Sequence, residues 1–132
     1  MRTLAIFFAL ALSGCLFQSF APTEILRDQV HSLNDETRWG RVDLASERVA
    51  PRFRSHFVES RASWGADVRI ADTELNQLTL APDMMSATST VEITWYDQRT
   101  MEVSSTVLRQ HWVKTDDHFL LDRESVLSGD ES

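Results

Sequence analysis

The sequence predicts an α+β domain, in which N-terminal helices pack on one face of a curved antiparallel sheet of about four strands to give a cone-like shape. Before Gly65, apolar residues recur at helical spacing, and after it they alternate every second residue. Short polar turns separate the alternating stretches. With 132 residues, 42% of them apolar and 25% charged, the chain fits one packed domain.

Residues 1–14 have the pattern of a signal peptide. Arg2 supplies the positive start, Leu4 to Leu12 form an unbroken apolar run, and two small residues follow. The run is shorter than the roughly 20 apolar residues that span a bilayer. An uncleaved anchor reaching Phe20 is the alternative, and the polar residues after Leu12 disfavour it.

The stretch "LSGC" at 12–15 resembles the lipobox of bacterial lipoproteins. In that family the cysteine sulfur takes a diacylglyceryl group and the chain is cut just before the cysteine. Cys15 is the only cysteine, so it has no disulfide partner within the chain, and we expect it to be lipidated. A cut after Ala21 competes, but Pro22 would then obstruct the scissile bond. Two or three acyl chains would hold the protein on its membrane essentially irreversibly.

The surroundings of Cys15 predict where the domain sits. The resemblance to lipoproteins, with Leu rather than Asp at position 16, favours the periplasmic face of an outer membrane. Residues 15–21 form a tether whose six residues after the cysteine reach about 20 Å, so the domain lies close to the bilayer. Loss of Arg2 leaves 12 basic against 20 acidic side chains, a net charge of −8. Such a surface disfavours nucleic acid as a partner.

The first predicted helix follows this tether. In "TEILRDQVHSLNDETRW", Leu26, Val30 and Leu33 are spaced to share one face, and Pro22 suits the start.

Two further helices are expected before the sheet. One begins near Asp43, which we place in the cap position of "VDLASERV". The other starts at Pro51 and ends at Gly65, with Trp64 on its last turn.

Four strands are predicted, in the stretches "VRIADTELNQLTLA", "VEITWYD", "TMEVSSTVLRQHWVKT" and "HFLLDRESV". In the second, Val91, Ile93 and Trp95 share a face. In the third, Val103 and Trp112 have opposite parity, which indicates either a bulge or burial on both faces. Tight polar turns predict an antiparallel meander. The domain then covers 22–127, and residues 128–132 form a loose acidic tail.

This order of elements resembles the nuclear transport factor 2-like superfamily, which includes ketosteroid isomerase and polyketide cyclase relatives. The stretches "WGRVDLASERVAPRFRSHF" and "LRQHWVKTDDHFLLDRE" carry the likeness. The resemblance implies a pocket between helices and sheet that either performs proton transfer on small apolar molecules or binds them. Many members of that superfamily only mediate protein contacts.

Three tryptophans are candidates for lining such a pocket: Trp64, Trp95 and Trp112. Ordinary core packing is the alternative for each. Enzymes of the superfamily place acids, His or Tyr in the pocket, but no complete set can be aligned here. We therefore predict no catalytic residue.

Metal and cofactor sites are not indicated. His111 and His118 flank a hairpin turn that also holds Asp116 and Asp117, and such a turn brings side chains together. No third nitrogen or sulfur ligand lies nearby in sequence, so we expect exposed neighbours rather than a metal site. Phosphate-binding and hydrolase motifs are absent from the sequence.

These observations lead to one functional hypothesis and one alternative. The first is a lipid-anchored cell-envelope module that binds a small apolar ligand or an envelope protein without catalysis. The alternative is a small periplasmic enzyme of the isomerase or cyclase type that uses a buried acid. A third possibility, compatible with the resemblance to that superfamily, is structural assembly as a homodimer through sheet-to-sheet contact. It would bury the outer face of the sheet, with Leu108 and Trp112 on that face in this case.

Overall fold

The computed structural model describes residues 21–129 and places three helices before four strands. The elements are α1 (Pro22–Arg38), α2 (Val42–Glu47), α3 (Pro51–Ser60), β1 (Val68–Leu80), β2 (Ser86–Asp97), β3 (Val103–Thr115) and β4 (His118–Gly129). The predicted α+β class is confirmed. Cys15, the signal peptide and nearly all of the tether lie outside the described residues.

Helix α1 forms because its apolar residues fall on a single face. Leu26, Val30 and Leu33 are fully buried against the sheet, as their spacing predicts. Pro22 occupies the first turn, where its missing N–H costs no hydrogen bond. After the helix, Gly40 adopts a φ of 74°, a left-handed conformation that glycine reaches without strain.

The shorter helices begin and end differently from the sequence prediction. Helix α2 begins at Val42 with Arg41 at its N-cap, so Asp43 lies in the first turn rather than at the cap. The carboxylate of Asp43 still lies near the N-terminus of α2, which is the positive end of the helix dipole. Helix α3 ends at Ser60, and Trp64 lies in the turn that follows, bridged to Val68. This turn redirects the chain into β1.

The sheet is an antiparallel meander in the order β1-β2-β3-β4, as predicted. On β2, Ala87, Val91 and Ile93 are buried and face the helices. The other face of β2 carries Thr88, Thr90 and other polar residues, which explains the alternation in the sequence.

Strand β3 is buried on one face only, and the bulges in its pairing with β4 lie in β4. Its buried residues are Thr106, Leu108, Gln110 and Trp112, which follow strict alternation. The extra residues are in β4, where Asp122 and Leu127 are skipped by the pairing. The change of parity seen in the sequence therefore reflects neither a bulge in β3 nor its burial on both faces: Val103, 70% exposed, simply faces outward.

One core joins the helices to the inner face of the sheet. Its buried residues come from all three helices and from β2, β3 and β4. Strand β4 runs through Ser128 and Gly129, the first two residues of the expected tail. Within residues 21–129, no helix is both long enough and apolar enough to cross a membrane.

Candidate functional site

A cavity of about 360 Å³ opens between α3 and the inner face of the sheet. Its apolar walls are Phe53, Trp64, Ile93, Trp95, Leu108 and Val126, and its polar groups come from His56, Ser60, Arg61, Thr106, Glu124 and Ser125. The exposed residues among these, such as His56 and Val126, rim the mouth. The size and mostly apolar lining are typical of small-molecule sites.

A buried ion pair lies in the cavity wall. The guanidinium Nη2 of Arg61 donates to both carboxylate oxygens of Glu124, at 2.7 and 2.8 Å. The side chains are only 2% and 9% exposed, respectively. The Arg61 guanidinium also lies over the rings of Phe57, 3.9 Å from the centroid, and Trp64, 4.9 Å away, where cation–π attraction stabilises it.

Gln110 extends this pair into a polar network across the core. Its Nε2 donates to Glu124 at 2.9 Å and to Asn34 at 3.0 Å. Its Oε1 accepts from Asn34 and from Ser89, each at 3.1 Å. Ser89 in turn accepts from the indole of Trp112 at 2.9 Å. Because both the oxygen and the nitrogen of the Gln110 amide have partners, the network fixes the geometry behind the cavity.

The three tryptophans that the sequence indicated as pocket candidates occupy different environments in the structure. Trp64 and Trp95 line the cavity, and the Trp95 indole donates to the Thr106 hydroxyl at 3.0 Å. Trp112 is fully buried in the closed core and does not reach the cavity.

The polar residues of the site were not singled out from the sequence. Under strict alternation from Phe119 and Leu121, Glu124 would face outward. The extra residue Asp122 reverses the parity and turns Glu124 inward opposite Gln110. The sequence did hold one signal for Arg61. It is a charged residue that lies between the aromatic residues Phe57 and Trp64, and this position could have identified it as part of the site.

The chemistry of the cavity favours binding over proton transfer. Both oxygens of Glu124 are engaged by Arg61, and one also accepts from Gln110. The two opposite charges neutralise each other within the wall. One donor is left over, because the Nε of Arg61 is buried and has no hydrogen-bond partner. The site thus offers a largely apolar volume beside a neutralised ion pair.

A second buried acid lies outside the cavity. The side chain of Asp122 is buried, with only 3% of the residue exposed. It accepts a hydrogen bond from Arg52 at 2.6 Å, and its other oxygen lies 3.6 Å from the Nδ1 of His111. His118 instead contacts Asp117. No group of three metal-ligating side chains occurs in the described part of the chain.

Comparison with known proteins identifies a shared fold. No family model matches the chain, and no curated protein sequence matches it. The crystal structure of the intermembrane space region of the chloroplast protein ARC6 is similar, with a TM-score of 0.56 and 12% sequence identity. The match covers 83% of this chain and 99% of that one. At this identity the likeness shows that the two domains share an α+β fold.

Proposed function

We propose that this protein is a non-catalytic binding module whose cavity holds a small, mostly apolar molecule. The observation that carries the proposal is the open volume beside Trp64 and Trp95, between α3 and the inner face of the sheet. Burial of an apolar ligand there gains roughly 25 cal/mol for each Å² removed from water. The tryptophan rings offer a ligand large, rigid contact surfaces.

The polar part of the wall supports the same function. Since Glu124 already neutralises Arg61, a charged ligand would have to displace a buried partner, which is costly. The preferred ligand is therefore neutral, with a mostly apolar body.

Dye binding tests the proposal. N-phenyl-1-naphthylamine, a neutral apolar dye, is titrated into residues 22–132 and its fluorescence followed. Val126→Trp narrows the cavity mouth, and we expect about a tenfold weaker affinity, which corresponds to roughly 1.4 kcal/mol. Leu127→Trp is the matched control, since Leu127 is the next residue on β4 and does not line the cavity.

Two outcomes would contradict the cavity as the binding site. In the first, the parent domain leaves the dye fluorescence unchanged across the titration. In the second, both tryptophan variants weaken binding equally, which would place the dye on the outer surface. Native mass spectrometry of the same domain then identifies any molecule that co-purifies.

An enzyme of the isomerase type is the second candidate, and Glu124 is the observation that favours it. A catalytic Glu124 would take a proton from the carbon beside a bound carbonyl and return it to the resulting enolate. In D₂O this exchanges the methyl hydrogens of 2-acetylnaphthalene for deuterium, which mass spectrometry detects. The enzyme is supported if the protein exchanges these hydrogens faster than buffer alone does and if Glu124→Gln abolishes that excess exchange. Dye binding without exchange supports the binding module.

We also propose that Cys15 anchors the module to the periplasmic face of an outer membrane, and that the chain is a divergent nuclear transport factor 2-like protein. The lipobox-like stretch supports the anchor, and the order of helices and strands supports the family. For the anchor, Cys15→Ser should move the protein from the membrane fraction to the supernatant. Equal membrane retention of variant and parent would contradict lipidation.

A further inference from the structure

One end of the domain carries two neighbouring methionines that are open to solvent. Met84 and Met85 are 49% and 55% exposed and lie in the turn between β1 and β2, residues 81–85, which we call the methionine turn. The backbone N–H of Met85 donates to the Asp83 carboxylate at 3.0 Å, and that of Met84 donates to the Ala81 carbonyl at 2.9 Å. The turn is held by these local hydrogen bonds, and both thioether side chains stay outside the core.

Helix α1 approaches this end through the turn between β3 and β4. The backbone N–H of Lys114, near the end of β3, donates to the carbonyl of Met85 at 2.9 Å. Lys114 pairs with Phe119 on β4, and the Phe119 N–H donates to the side chain of Gln29 at 2.7 Å. Gln29 of α1 is therefore one strand pair away from the methionine turn.

The direction of α1 brings the start of the described chain to the same end. At the C-terminus of the helix, Arg38 contacts Asp72 near the start of β1, far along that strand from the methionine turn. From Gln29 the helix continues back to Pro22 for about 10 Å, and its first turn is exposed. The chain therefore enters the domain at the end that carries the methionine turn.

We propose that the methionine turn docks on the bilayer that holds Cys15, an inference that rests on the lipidation proposed above. The tether after Cys15 reaches about 20 Å, so the end at Pro22 stays within that distance of the membrane surface. Methionine is unbranched and adaptable, which suits the irregular boundary between lipid headgroups and acyl chains. The tether keeps this exposed apolar pair at a lipid surface that can cover it.

The charges around the methionine turn favour one class of lipid. Asp83 lies within it, and Asp116 and Asp117 lie in the neighbouring turn, where all three are exposed. These carboxylates repel anionic lipid, whereas the ammonium of an ethanolamine headgroup can approach them. The surface therefore fits a zwitterionic membrane rich in phosphatidylethanolamine.

This orientation also sets the direction of the cavity. Ile93, in the cavity wall, lies about 25 Å along β2 from the methionine turn. A domain that stands on the methionine turn holds its cavity away from the lipid. A ligand then enters from the aqueous side rather than directly out of the bilayer.

Quenching by spin-labelled lipid tests the contact. Met84→Cys or Met101→Cys is introduced into the full chain, and the lipidated protein is labelled with an iodoacetamide derivative of the fluorophore NBD. Cys15 is the only native cysteine, so its acylation leaves one free thiol. In phosphatidylethanolamine/phosphatidylcholine vesicles, lipid spin-labelled high on the acyl chain should lower the fluorescence at position 84 about threefold. It should leave position 101 nearly unchanged.

Met101 is a matched control for Met84. Both are exposed turn methionines, with φ of 58° and 59°, respectively. Met101 follows β2, about 35 Å along that strand from the methionine turn. Adding Met85→Asp to the Met84→Cys chain puts a charge into the contact and should abolish the quenching. Phosphatidylglycerol in place of phosphatidylcholine should weaken it, because the nearby acids are repelled.

The outcomes separate this contact from the anchor. Equal quenching at positions 84 and 101, or none at either, in protein that carries one label and floats with the vesicles overturns the contact while the anchor stands. Two labels per chain, detected by mass spectrometry, show that Cys15 is free, which removes the anchor and the contact with it. Stronger quenching with phosphatidylglycerol overturns the preference for zwitterionic lipid.

Discussion

The amide group of Gln110 uses its oxygen twice as an acceptor and its nitrogen twice as a donor. Such full use matters because a buried polar group without a partner costs about 1–3 kcal/mol. The same reasoning applies with more force to the charges of Arg61 and Glu124, whose desolvation is compensated only while both are present.

A double-mutant cycle measures this mutual dependence. Arg61→Met leaves the Glu124 carboxylate buried without its counter-ion and should lower the free energy of unfolding by about 3–5 kcal/mol. Adding Glu124→Leu removes the orphaned charge, so the double variant should recover about 2 kcal/mol of that loss. Urea denaturation followed by tryptophan fluorescence gives each value.

The exposed pair of Arg38 and Asp72 is the control for this cycle. The Asp72 side chain is 64% exposed and 3.2 Å from Arg38, so Asp72→Ala should change stability by less than about 1 kcal/mol. A double variant no more stable than Arg61→Met would mean that the buried charges are not coupled.

At the scale of elements, turns carry local interactions that their sequences specify. The carboxylate of Asp97 ends β2 and accepts the backbone N–H of Arg99 at 2.7 Å. This hydrogen bond, with help from the Thr100 N–H and the Arg99 charge, holds the pKa of Asp97 below its ordinary value of 3.8. A lowered pKa means that the ionised form is the one the folded turn prefers.

This turn should therefore loosen in acid. The stabilisation is fully present above pH 3.8, the ordinary Asp pKa, and is lost as the pH falls through the lower folded pKa. NMR titration of the Asp97 carboxyl carbon should give a midpoint below 3.8. In Asp97→Asn the side chain still accepts the Arg99 N–H, so exchange of that amide loses this pH dependence. A midpoint at or above 3.8 for the parent would contradict the interaction.

Most elements were predictable because their signals are local. The spacing of Leu26, Val30 and Leu33 identifies α1, and alternation identifies β2. The site was only partly predictable, since Trp64 and Trp95 reach the cavity but Trp112 does not. The inward turn of Glu124 depends on Asp122 being skipped by β3, a property of strand pairing rather than of either residue. No periodicity within β4 alone carries that information.

At the scale of the molecule, the polar network joins parts that are distant in sequence. Asn34 of α1 binds Gln110 of β3, 76 residues away, and Arg61 after α3 binds Glu124 of β4, 63 residues away. The helical layer and the sheet are thus linked by hydrogen bonds as well as by apolar packing. Neither layer can separate without exposing these buried groups, so we expect both to unfold together.

Replacement of Asn34 tests this link between the layers. Asn34→Leu removes both hydrogen bonds to Gln110 and leaves that amide partly unpaired, so stability should fall by about 1–3 kcal/mol. In urea, the helical signal in far-ultraviolet circular dichroism and tryptophan fluorescence should still change together, with the midpoint lowered in both. Asn76→Leu, at an exposed position of β1, should stay within about 0.5 kcal/mol of the parent.

If the two signals separate in the parent, the helices and the sheet unfold independently, and the network does not hold the layers as one unit. If they separate only in Asn34→Leu, this one pair is what couples α1 to the sheet.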